Sequence, residues 1–118
     1  MSGKLCFPIL VVLSLCFGSV ARGHAILLSS TPSVKEVVTG PDTQVKLRFN
    51  SRVDAGRSML MLVDPGGEQR KLGIGEQSSP ESLDSQANGL KSGDYVIRWQ
   101  VLAIDGHITR GEISFRVR

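Results

Sequence analysis

The chain has 118 residues, 41% hydrophobic and 21% charged, which suits one small globular domain and not two. Its 14 Lys/Arg and 11 Asp/Glu give a net charge of +3, but the signs are interspersed, no Lys/Arg cluster appears and only 5% of residues are aromatic. Nothing in that pattern suggests a nucleic-acid-binding surface.

In chain order the first feature is a leader. Lys4 precedes an apolar run over residues 5–20, and Ala21-Arg22-Gly23 places small residues at the third and first positions before a cut. This reads as a secretory signal peptide, residues 1–23, cleaved after Gly23, followed by one domain over residues 24–118. The run is short for a membrane anchor, and no later stretch approaches the roughly 18 apolar residues of a spanning helix. Lipoprotein processing would use Cys16, but Leu15 stands before it where that processing expects Gly, Ala or Ser. Cleavage leaves 118 − 23 = 95 residues, enough for one modest core. It also removes Cys6 and Cys16, so the exported domain depends on packing with no disulfide.

Residues 25–29 predict a short first strand, stopped near Thr31-Pro32. Val45, Leu47 and Phe49 alternate with Gln44, Lys46 and Arg48, the period of a half-buried strand. Residues 58–64 are nearly all apolar and end at Asp64-Pro65-Gly66-Gly67, a turn signal that lets residues 68–72 return as a hairpin partner. Residues 73–85, rich in Gly, Ser, Glu and Gln, read as the longest mobile loop, with a strand-like segment near 82–87. After turns at Asn88-Gly89 and at residues 91–94, Tyr95, Ile97, Trp99 and Val101 alternate with Val96, Arg98 and Gln100. Ile113, Phe115 and Val117 alternate with Ser114, Arg116 and Arg118. With no helical period and no repeat, about seven short strands predict an all-β, immunoglobulin-like antiparallel Greek-key β-sandwich or barrel.

The chemistry lies in two histidines. Signal removal would make His24 the first residue, and the only other histidine is His107, in Asp105-Gly106-His107. A histidine at position one closes a chelate through its free α-amine and ring Nδ1, which no internal histidine can do. The amine's proton is weakly held, with a reference pKa of about 7.7 to 8, so a metal displaces it at neutral pH. A ring nitrogen from His107 would complete a histidine brace. Asp105, in the same turn, has a carboxylate able to coordinate directly, weakly from an axial position, or from a second layer as an orienting group. Three nitrogens with oxygen suit Cu(II), one ion per mature chain, and the divalent affinity order also peaks at copper. The ligands are 107 − 24 = 83 residues apart, so the site would exist only in the folded chain. Taken singly, each residue has a plainer reading: His24 as an accidental polar start, His107 as a solvated loop residue, and Asp105 as half of a common Asp-Gly turn.

The start His24-Ala25-Ile26-Leu27-Leu28-Ser29-Ser30-Thr31-Pro32 and the middle Val45-Lys46-Leu47-Arg48-Phe49 resemble the CopC family of periplasmic copper-binding proteins. The run from Gly93 to Val101 with Trp99, then Asp105-Gly106-His107, and finally Gly111 to Val117 extend the resemblance over essentially the whole mature chain. The resemblance implies a small β-barrel or sandwich binding Cu(II) through His24, Asp105 and His107. It also implies a soluble periplasmic carrier or buffer, not an enzyme, in copper resistance or homeostasis, alongside a CopD-type inner-membrane protein.

The chain departs from the family pattern in two places. Some members carry a glutamate just after the corresponding strand; here Phe49-Asn50-Ser51 has none, so no fourth protein ligand is carried over. Others have a Met-rich loop for Cu(I); here only Met59 and Met61 follow the leader, on one strand face where core packing is the expected role. Trp99 is expected to be buried, and Arg98, Arg110, Arg116 and Arg118 to lie on a solvated face. Two alternatives stay open: a copper-dependent polysaccharide monooxygenase-like enzyme, and a metal-free immunoglobulin-like interaction module.

Overall fold

A computed structural model describes residues 25–118; residues 1–24, with the expected leader and His24, lie outside the described residues. Eight strands form in chain order: β1 (Leu27–Thr31), β2 (Val37–Val38), β3 (Thr43–Phe49), β4 (Met59–Val63), β5 (Gln69–Leu72), β6 (Ser82–Ala87), β7 (Gly93–Leu102) and β8 (Ile108–Val117). A single 3₁₀ turn, Ala55–Arg57, precedes β4. None of the described residues forms a helix long and apolar enough to cross a membrane.

The strands make two sheets, one ordered β1-β3-β6 and the other β2-β8-β7-β4-β5. All neighbours are antiparallel except β2, which pairs in parallel with β8. Connections that cross between the sheets give the expected Greek-key, immunoglobulin-like sandwich, with one strand more than the sequence suggested. The extra strand is β2, whose two residues are too short to display an alternation.

Alternation explains which side chains face inward. Val45, Leu47 and Phe49 of β3, Tyr95, Ile97, Trp99 and Val101 of β7, and Ile113, Phe115 and Val117 of β8 are buried and meet across the gap between sheets. Each fully buried aliphatic or phenyl side chain contributes about 1.5–3 kcal/mol relative to exposure. Phe49 meets Trp99 edge to face at 5.2 Å, which links the two sheets at one end of the core.

In β4 the expected parity is reversed. Met59 and Met61 are half-buried on the outer face, while Leu60 and Leu62 enter the core opposite Trp99 and Ile97 of β7. Core packing of the methionines is therefore not what the fold does. Residues 59–63 are all apolar, so hydrophobicity alone carries no parity, and the register with β7 decides it.

Turn chemistry holds the hairpins. The Asp64 carboxylate accepts from the backbone N–H groups of Gly66 and Glu68, both at 2.9 Å, and closes the β4–β5 turn. The Tyr95 hydroxyl accepts from Lys91 N–H at 2.9 Å and donates to Lys91 C=O at 3.0 Å, fastening the turn into β7. Residues 73–81 are more tightly held than their composition implied. Asp84 accepts from Ser82 Oγ at 2.7 Å and from Ser78 N–H at 3.1 Å, and Gln77 donates to Ser82 C=O at 2.8 Å.

Candidate metal centre

One end of the sandwich gathers the start of β1, the end of β3, the start of β4 and the β7–β8 turn. Leu27 pairs with Phe49, Met59 with Gln100, and Leu102 with Ile108. The β7–β8 turn closes through Ala103 N–H to His107 C=O and Gly106 N–H to Ala103 C=O, both 2.8 Å. Gly106 takes φ +96°, a left-handed conformation that suits glycine and lets Asp105 and His107 stand side by side.

Within that turn Asp105 binds His107 twice. Its Oδ1 accepts from the His107 backbone N–H at 3.1 Å, and its Oδ2 lies 2.8 Å from His107 Nδ1. The backbone N–H, followed by the ring contact, holds the Asp105 carboxyl below the usual carboxylate range. Both side chains reach solvent, 58% exposed for His107 and 37% for Asp105. A ring whose Nδ1 is held by a carboxylate is oriented to coordinate metal through Nε2.

The segment 50–54 connects this turn to the start of the chain. At one end, Ile26 N–H donates to Asn50 Oδ1 at 2.7 Å while Asn50 N–H donates to Ile26 C=O at 3.0 Å. At the other, Ile104 N–H donates to Arg52 C=O at 3.1 Å, Asp54 N–H donates to Leu102 C=O at 2.8 Å, and Val53 bridges Ala103. Ala25 has no exposed surface, so the chain is seated in the core from its first described residue.

Of the three residues singled out from sequence, Asp105 and His107 are adjacent, and His24 lies outside the described residues. Among the described residues no group of three or more His, Cys, Asp or Glu is gathered as a metal site. The sequence reading missed the role of Asn50, treating its position only as one lacking a carboxylate. Its clamp on a residue 24 positions away leaves no local pattern to read.

The surroundings are apolar. Ile26, Leu28, Ile104 and Ile108 are all more than half exposed at this end. Trp99 is 7% exposed, and among the described residues its indole N–H, like the hydroxyls of Ser51 and Thr109, has no hydrogen-bond partner. Trp99 pairs directly with Gly111 on the inner face, where a Cβ would lie 2.6 Å from indole Cε2. The four arginines expected on a solvated face are exposed, and three are paired: Arg98 with Glu112 at 2.9 Å, Arg116 with Asp94 at 2.7 Å, and Arg110 with Gln100 at 2.8 Å.

Comparison with known proteins agrees with this architecture. The CopC domain family matches residues 27–118. The chain is 31% identical over 98 residues to Protein YobA of Escherichia coli K12, covering 80% of this chain and 79% of that protein. It is 24% identical over 120 residues to Copper resistance protein C of Pseudomonas syringae pv. tomato, covering 95% and 94%. Among solved structures, CopC from Methylosinus trichosporium OB3b aligns with a TM-score of 0.74 and 34% identity, covering 80% of this chain and 93% of that one. PcoC, a methionine-rich copper resistance protein from Escherichia coli, shares the fold at a TM-score of 0.68 and 22% identity, covering 80% and 99%. With this match spanning almost every described residue, the chain belongs to the CopC family.

Proposed function

We propose that this protein is an exported Cu(II)-binding carrier or buffer in copper resistance or homeostasis, and that it holds one ion through an amino-terminal histidine brace. His24 supplies its α-amine and ring Nδ1 once the signal is cleaved after Gly23. His107 supplies Nε2, and Asp105 supplies the carboxylate that orients the His107 ring and stands beside the metal. Periplasmic delivery, and exchange of copper with a CopD-type inner-membrane protein, belong to the same reading.

The observation that carries it is the double anchorage of segment 50–54, which ties Ile26 to Asn50 and the metal-bearing turn to Arg52 and Asp54. His24 is two covalent links before Ile26, so its reach is set from the point where Ile26 is held. The enzyme alternative loses support from the aromatic inventory. Phe49, Tyr95, Trp99 and Phe115 are all buried, so among the described residues none forms the flat, exposed platform on which sugar rings stack.

The test is a Cu(II) titration of protein exported and processed through its own signal, with the terminus fixed by intact mass, against the same chain carrying one extra residue before His24. Tight 1:1 binding that the extension abolishes supports the brace. Equal binding by both forms, or by neither, overturns the brace, and absence of binding by both leaves the metal-free interaction module.

A further inference from the structure

Asn50 makes a contact that its position in the chain does not require. The backbone link from Asn50 N–H to Ile26 C=O, at 3.0 Å, is part of the edge pairing that continues β1 beyond Leu27. The side-chain link is different: Oδ1 takes the Ile26 N–H at 2.7 Å, where an ordinary strand residue would have no acceptor to offer. The two bonds together satisfy both backbone polar groups of Ile26, its N–H and its C=O, at a sheet edge. Asn50 is exposed, so the bond adds little to the core.

Two residues further on, Arg52 C=O receives Ile104 N–H at 3.1 Å, immediately before Asp105. Segment 50–52 is thus a short bracket, with the leading strand fastened at one end and the histidine-bearing turn at the other. The chain bends at Asn50 and Ser51, so the two fastenings stand within the roughly 7 Å that two fully extended residues could span.

We infer that Asn50 is a positioning residue for the metal centre: its side-chain amide oxygen holds the leading segment at the distance from the Asp105–His107 turn that lets both halves meet one ion. The inference rests on the proposed histidine brace and names the side chain of this protein that pre-organises it. Without the clamp, the leading residues must lose conformational freedom when metal binds, and affinity falls by that amount.

The experiment compares Asn50→Ala, which removes the acceptor, with Asn50→Asp, which keeps an acceptor oxygen in the same place. In metal-free protein, Ile26 amide hydrogen exchange should accelerate in Asn50→Ala and return towards the parent rate in Asn50→Asp. In Cu(II) titrations, Asn50→Ala should bind about threefold to tenfold more weakly, with its thermal midpoint nearly unchanged, and Asn50→Asp should recover the loss. Parent-like Ile26 exchange and parent-like affinity in Asn50→Ala would overturn the inference while leaving the brace intact. A fall in affinity matched by a similar fall in metal-free stability would also overturn it, because the residue would then be structural. Parent protein that binds copper equally with and without an extra residue before His24 would remove the brace and this inference together.

Discussion

At the scale of single residues, the Asp105–His107 pair is the feature with the most direct chemical consequence. An imidazole held by a carboxylate is fixed in orientation, so in the proposed site a metal would meet an oriented ligand. Asp105→Asn replaces the anionic acceptor with a neutral amide and should weaken Cu(II) binding about tenfold or more, read by competition against a chelator of known affinity. Asp84 offers a prediction on acid stability. Burial raises its pKa, but hydrogen bonds from the Ser82 hydroxyl and from the Ser78 backbone and hydroxyl, with the Lys46 charge, outweigh burial and hold it below the ordinary value. A depressed folded-state pKa means that the stabilisation is present above the unfolded value of about 3.9 and is lost as pH falls through the lower folded value. Thermal melts from pH 6 to pH 2 should therefore show the parent falling below about pH 4. Asp84→Ala should start lower, by about 1–2 kcal/mol, and show a shallower decline. Asp105 and His107 were legible from sequence because their relationship spans two positions in one turn. Asn50 was not, because its partner Ile26 becomes a neighbour only through strand pairing.

At the scale of elements, strands β3, β7 and β8 were readable because charged and apolar residues alternate along each, and the exposed face declares the buried one. β4 withheld its orientation, since Met59, Leu60, Met61, Leu62 and Val63 give no polar mark of the outer side. β2 withheld its existence, since its two residues are ordered by pairing with the end of β8. The loop before β6 was misjudged for a related reason. Its serines and glutamine have the composition of a loose segment, but they are donors and acceptors consumed by Asp84, Ser79 and Ser82. β7 packs tightly against β8 at Trp99 and Gly111. Gly111→Ala would put a methyl group 2.6 Å from indole Cε2 and nearer still to Cζ2. Either the indole or the strand must shift, at an expected cost of about 1–3 kcal/mol, visible as a lower thermal midpoint with the same far-ultraviolet spectrum.

At the scale of the whole molecule, the proposed brace would join parts of the chain that only the sandwich brings together. Metal binding and folding would then be one linked equilibrium. An ion that binds the folded chain alone, at a hundred times its dissociation constant, adds about 2.7 kcal/mol of stability. The thermal midpoint should rise with Cu(II) for protein beginning at His24, and it should not rise for the form extended by one residue. Acid should reverse the gain before the Asp84 cluster fails, because protons compete for the α-amine at a far higher pH than for a carboxylate.

The burial of Trp99 beside Gly111 has an optical consequence. This is the single tryptophan of the chain. It is largely buried, its N–H has no partner among the described residues, and it lies four strand positions from His107, about 13 Å along β8. Its fluorescence should be blue-shifted in the folded protein. Cu(II) absorbs visible light and is paramagnetic, so loading the site should dim that emission without moving its wavelength. The protein therefore contains its own indicator of occupancy, and a chelator that removes copper should restore the light.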